Sequence, residues 1–224
     1  MNLISKNNIK KEFIDILVKI KEALENSNLP GNNAFSRLAP YIKGNNQPTL
    51  KKPNKNTKKG AVLLLLSIRD EKLHITFTLR SIQLLSHSGQ LCFPGGSIEK
   101  NEQAKETALR ETFEEIGIKP YTIEILGTLT PIYIYPSNFL ITPVVGYSKQ
   151  YLDFIINTDE VKEAFTVPLD FFSFKNIKTK SWKIDTEDII MPYWQIHPSV
   201  PLWGATAMIL AEFLTIYENI KLIK

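Results

Sequence analysis

The chain of 224 residues carries one cysteine, Cys92, so no disulfide can form within it and stability must come from a packed core. Its longest apolar run, Ala61 to Leu66, is far too short to cross a bilayer and reads as a buried strand. The first residues, Met-Asn-Leu-Ile-Ser-Lys-Asn-Asn, lack the apolar stretch of a secretion signal, and the final Lys-Leu-Ile-Lys does not read as a peroxisomal address. The expected location is cytoplasmic, with no membrane partner. Arginine is scarce: Arg37, Arg69, Arg80 and Arg110 are the only ones among 27 basic residues. The net charge is a modest +4, and no aromatic or glycine-rich binding motif accompanies the lysines, so nucleic acid is not expected as the main partner. No internal repeat is visible.

What is present suits one substantial domain with an added segment. Phe13, Ile16, Leu17, Ile20 and Leu24 recur at helical spacing within residues 9–25, which predicts a helix in an N-terminal extension over residues 1–45. Residues 46–59 read as a polar linker. Its lysines (Lys51, Lys52, Lys55, Lys58, Lys59) read as solvated, with attraction of an anionic substrate as the alternative. Residues 60–224 then form the main domain. Strands are expected at 61–67, 73–79, 91–93, 122–130, 140–147 and 161–166, with a hairpin at 181–185 and 189–194. Helices are expected at 102–116 and 203–220.

The densest signal lies between Phe93 and Ile118. A glycine-rich turn, Phe93-Pro94-Gly95-Gly96, leads into the helix that carries Glu111, Glu114 and Glu115. Residues three and four apart share a helix face, so the three carboxylates are expected to point roughly one way. Like charges so close are most readily tolerated around a divalent cation, and carboxylate oxygens suit Mg²⁺ or Mn²⁺ in phosphate chemistry. Glycines at 95 and 96 permit close backbone approach to a metal or phosphate.

In its spacing this stretch resembles the Nudix box. Gly96, Glu102, Arg110, Glu111, Glu114, Glu115, Gly117 and Ile118 fall on it in register, and Thr112 stands where an aliphatic residue is usual. The resemblance implies the Nudix fold, of α/β (α+β) class, with a mixed β-sheet sandwiched between helices. It implies Mg²⁺ or Mn²⁺ held by Glu111, Glu114 and Glu115, while Glu102 and Arg110 tie the loop to the helix. Gly117 suits the left-handed residue that ends the helix.

The lead-in is similar to the coenzyme A pyrophosphatase branch of that family. Thr78, Arg80, Ser81, Gly89, Leu91, Phe93, Pro94, Gly95 and Gly96 match its extended motif; Phe77 and Leu85 depart from it, standing for Leu and Arg. Asp159-Glu160-Val161 and Leu202-Trp203-Gly204-Ala205-Thr206-Ala207 resemble later segments of the same branch. The resemblance implies hydrolysis of the CoA pyrophosphate, with Arg80, Ser81, Gly89, Gln90, Pro94, Gly95 and Gly96 meeting the substrate. The general base is left between the box helix (Glu111, Glu114) and Glu160 on a later loop. His87 reads as an exposed loop residue and Trp203 as a packing residue. The alternatives are another diphosphate substrate, such as ADP-ribose or NADH, and a silent nucleotide-binding domain. A homodimer is left open.

Overall fold

The computed structural model describes residues 3–26, 28–45, 51–83, 88–184 and 186–222, without the side chains of residues 3–10 and 184. Leu85 and His87 lie outside the described residues, as do 46–50 of the polar stretch. In chain order the elements are α1 (Leu3–Glu25), α2 (Asn32–Phe35), β1 (Tyr41–Ile42), β2 (Lys58–Arg69), β3 (Lys72–Arg80), β4 (Leu91–Cys92), β5 (Gly95–Ser97) and α3 (Ala104–Ile116). They continue with β6 (Ile123–Thr128), β7 (Ile132–Ile134), β8 (Phe139–Ser148), β9 (Val161–Pro168), β10 (Lys178–Ile184), β11 (Glu187–Trp194), β12 (Leu202–Trp203) and α4 (Gly204–Leu222).

Successive side chains of a strand face opposite ways, so the continuous apolar run of β2 needs cover on both sides. Ala61, Leu63 and Leu65 pack with Ala108 and Ile116 of α3. Leu64 and Leu66 face the other way, into a core shared with Leu17, Ile20 and Leu24 of α1 and with Leu210, Ala211 and Leu214 of α4. Each fully buried leucine contributes about 1.5–3 kcal/mol, so this central strand anchors both layers. The main sheet runs β4-β3-β2-β8-β6, with β5 on β2, β7 on β8 and β9 on β3. The β2–β8 pair is parallel and its other pairs are antiparallel, which makes the sheet mixed, as expected. A smaller sheet, β1-β11-β10 with β12 on β11, flanks it. The predicted N-terminal extension is therefore part of the common core.

Three local differences from the sequence reading have physical causes. The box helix begins at Ala104 rather than residue 102, because Glu102 is engaged as a side-chain acceptor and Glu106 caps the Gln103 N–H at 2.8 Å. The glycine-rich turn is in part a strand: Gly95–Ser97 pairs with Gly60–Val62, so close that a Cβ on Gly95 would lie 2.6 Å from Val62 Cα. A glycine strand shows no alternation and is invisible to periodicity. Likewise α2, β1, β7 and β12 are too short to leave a pattern. Thr112, the departure within the box, is fully buried and donates to the Ala108 carbonyl at 2.6 Å, so its hydroxyl is satisfied inside the helix.

Candidate active site

Helix α3 lays its apolar residues on β2, and this fixes where its carboxylates go. Glu111 and Glu115, four residues apart, sit on the inner side by β5, and Glu115 is only 1% exposed. Gly96 makes room for Glu111: a Cβ there would overlap that carboxylate, with Oε2 2.6 Å away. We expect Gly96→Ala to displace Glu111 and raise the metal requirement of any turnover by about tenfold or more, as a titration of rate against Mg²⁺ would show.

The third member arrives from the segment before β9. The backbone N–H groups of Ile155 and Asn157 bond the carbonyls of Ile116 and Glu115, at 3.0 and 2.9 Å, and lace that segment to the end of α3. Asn157 then takes N–H groups from Asp159 (onto Oδ1, 3.2 Å) and from Glu160 and Val161 (onto its carbonyl, 3.1 and 2.8 Å). The turn so formed delivers Glu160. Glu111, Glu115 and Glu160 each present an oxygen within 4.8 Å of the others. Glu114 is not brought into this group. It is 48% exposed on the next face of the helix, and its carboxylate accepts from Arg110 Nη1 at 2.9 Å.

Charge is poorly balanced at the cluster. Burial, reinforced by Glu111 and Glu160 and opposed by Arg80, pushes the Glu115 carboxyl up to about 8. Burial also raises Glu111, against the pull of Arg110. Glu115 Oε2 is buried and makes no hydrogen bond among the described residues. Three hard oxygen donors with one buried oxygen unsatisfied fit a divalent cation of the Mg²⁺ or Mn²⁺ kind. Arg80, at the end of β3, brings Nη1 to 3.7 Å from Glu115 Oε1. Cys92 is not a nucleophile here: burial pushes its thiol up to about 11.

Arg110 holds the box together. Nε and Nη2 donate to the two oxygens of Glu102 at 2.9 and 3.0 Å, and Nη2 also reaches the Ser97 carbonyl at 3.3 Å. Nη1 bonds Glu111 Oε1 at 2.9 Å, which steadies one oxygen of a cluster member. Glu102 also accepts from Thr107 and from the Glu99 N–H, and the guanidinium above all holds it down to about 2. Gly117 ends the helix at φ 74°, with its N–H on the Phe113 carbonyl.

The remaining predicted contacts are mainly backbone in character. Ser81 donates its N–H to the Glu160 carbonyl at 2.8 Å, which ties the end of β3 to the loop carrying Glu160. Gln90 accepts from the Arg80 N–H, beside Gly89 at φ 65°, and the Pro94 carbonyl accepts from Leu63. Phe93 stacks on Phe77 in the core with centroids 5.2 Å apart, and Trp203 meets Trp182 edge-on at 4.9 Å. Asn157 was missed by sequence reasoning. Its signal was an Asn two residues before Asp159, a pattern that favours an Asx turn.

An α+β sandwich with an acidic site against its central strands is the class that fold and site define. A sequence model of the NUDIX domain matches residues 58–187, over half the chain. The chain belongs to the Nudix family. Nudix hydrolase 3 of Caenorhabditis elegans is 32% identical over 198 residues, covering 81% of this chain and 82% of that protein. The peroxisomal coenzyme A diphosphatase NUDT7 of Mus musculus is 42% identical over 120 residues, 52% of this chain and 50% of the relative. A NudL Nudix hydrolase of Pectobacterium atrosepticum is 37% identical over 143 residues, 62% of this chain and 72% of the relative. No described helix is long and apolar enough to cross a membrane.

Proposed function

We propose that this Nudix hydrolase cleaves the pyrophosphate of coenzyme A, giving adenosine 3′,5′-bisphosphate and 4′-phosphopantetheine. The observation that carries this reading is the meeting of two motifs: Arg80, from the lead-in that resembles the CoA branch, stands 3.7 Å from Glu115 of the box. The similarity to NUDT7, a CoA diphosphatase by name, supports the same substrate.

In this reading Glu111, Glu115 and Glu160 hold the divalent cation. When bound, the ion neutralises diphosphate charge and lowers the pKa of a water. Arg80 places a permanent positive charge beside the diphosphate, and Arg110 fixes Glu111. Asn157 and Ser81 set the position of Glu160, which takes the proton of the attacking water. The water oxygen bonds to phosphorus as the bridging P–O bond breaks, and the second phosphate leaves as a monoester.

The raised Glu115 carboxyl fixes the pH dependence. Without metal it keeps its proton up to about pH 8, against about 4.3 for an unfolded glutamate. Its stabilising contribution is therefore full below the unfolded value and is lost as pH rises through the folded one. Cation binding needs the carboxylate, so affinity is expected to rise up to about tenfold per pH unit below pH 8 and then level off. Calorimetry in buffers of different ionisation enthalpy should show about one proton released per ion at pH 7.

Product chromatography after incubation with CoA, ADP-ribose or NADH and Mg²⁺ or Mn²⁺ tests the substrate. CoA should give the two products named, with the highest kcat/KM. A kcat/KM about tenfold higher for either competitor would overturn the assignment.

A further inference from the structure

The lysine-rich stretch read as a linker is, over residues 51–59, built into the fold. Asn138, in the left-handed conformation at φ 53°, is its anchor. Through Oδ1 it accepts from Thr57 Oγ1 at 3.1 Å and Tyr133 Oη at 3.0 Å, and through Nδ2 it donates to the Asn56 carbonyl at 3.1 Å. Its own carbonyl accepts from the Lys58 N–H at 3.0 Å. Asn54 closes the loop, donating to Thr57 Oγ1 and accepting from the Asn56 N–H, both at 2.9 Å.

This scaffold presents Lys51, Lys52, Lys55, Lys58 and Lys59, all exposed, beside the turn between β7 and β8. No carboxylate ion-pairs with any of the five among the described residues. Two of them lie over aromatic faces instead: Lys51 Nζ is 3.4 Å from the Tyr135 ring centroid and Lys58 Nζ 5.8 Å from that of Phe139. Lys51 and Lys52 also line an open cavity of about 260 Å³ with Phe35, Tyr133 and Leu140. Unneutralised lysines are point charges suited to a phosphate monoester, and the half-buried Tyr133 is an aromatic wall suited to a purine.

The cavity is within a substrate's reach of the carboxylates. Gly96, which abuts Glu111, pairs with Ala61, and Ala61 pairs with Thr142, two residues beyond Leu140. Two strand spacings across and two residues along place Leu140 roughly 12 Å from Gly96. A 3′-phosphate stands one sugar ring away from the 5′-diphosphate, so one substrate molecule spans most of that separation.

We propose that this lysine-lined cavity binds the 3′-phosphoadenosine end of the substrate and so selects a 3′-phosphorylated ADP derivative over its unphosphorylated counterpart. The proposal rests on the CoA reading and adds the place where the extra phosphate is recognised. The test compares CoA with dephospho-CoA, which lacks the 3′-phosphate, using the full chain with Mg²⁺. In the Lys51→Ala/Lys52→Ala variant, KM for CoA should rise about tenfold with kcat held, and the preference over dephospho-CoA should collapse towards one. Lys51→Arg/Lys52→Arg, which keeps the charge, should retain the preference. Equal KM values for the two substrates in the unmutated protein, or an equal rise for both in the alanine variant, would overturn the proposal. If neither compound is hydrolysed, the CoA reading fails while the cavity remains testable by titration with adenosine 3′,5′-bisphosphate and AMP. Tighter binding of the bisphosphate, lost in the alanine variant, supports the cavity as the site; equal binding overturns it.

Discussion

Glu115→Gln is expected to lower kcat with Mg²⁺ or Mn²⁺ by about 10³-fold or more, with the fold intact. The two halves of that expectation come from the same environment. Glu115 is almost fully buried between Glu111, Glu160 and Arg80, and in the metal-free protein it stays protonated up to about pH 8. Glutamine is close in shape to that neutral form, so the metal-free variant should melt within about 2 °C of the original protein. It lacks the anionic oxygen that a cation needs, so Mg²⁺ should no longer raise the melting temperature. Metal-dependent turnover at the original rate would remove Glu115 from the site.

The second large effect is on stability and lies on the far side of the sheet. Glu212 of α4 is fully buried, and its carboxylate gathers three donors: the Gly31 N–H at 2.8 Å, the Thr130 N–H at 3.1 Å and the Thr130 hydroxyl at 2.6 Å. It ties the closing helix to the N-terminal segment and to the chain just after β6. Alanine would leave the buried Gly31 N–H and the part-buried Thr130 N–H without an acceptor, so Glu212→Ala should cost about 3–5 kcal/mol. At this size that is a fall of roughly 8–15 °C in melting temperature. Glutamine restores the size but points an NH₂ at a donor, so Glu212→Gln should recover only part of the loss. A melting temperature unchanged in the alanine variant would show that the three bonds contribute nothing net.

Glu212 shows what sequence reading misses. Within α4 it is one of two glutamates, with Glu218, in a largely apolar helix, and nothing local says that Gly31 and Thr130 converge on it from 181 and 82 residues away. Asn157 was overlooked for a related reason: it acts mainly through backbone groups, which sequence does not display. Ser81, expected to meet the substrate, instead donates its N–H to the Glu160 carbonyl. The segment 51–59 reads as a linker because its anchor, Asn138, is distant in the chain. Glu114 is the opposite case. Spacing put it with Glu111 and Glu115, but Arg110, one turn away on the same helix, holds it outside the group.

By itself the sequence determined the family, the mixed sheet between helices and the pairing of Glu102 with Arg110. The family follows from the local spacing of the box residues, and the mixed sheet and the Glu102–Arg110 pair are what the resemblance to that family implied. Tertiary structure alone decided that Glu160 completes the set with Glu111 and Glu115, that Gly96 leaves space for Glu111, and that Arg80 stands beside Glu115. Each of these depends on the register of strands distant in sequence, and register is settled by which faces can be buried together.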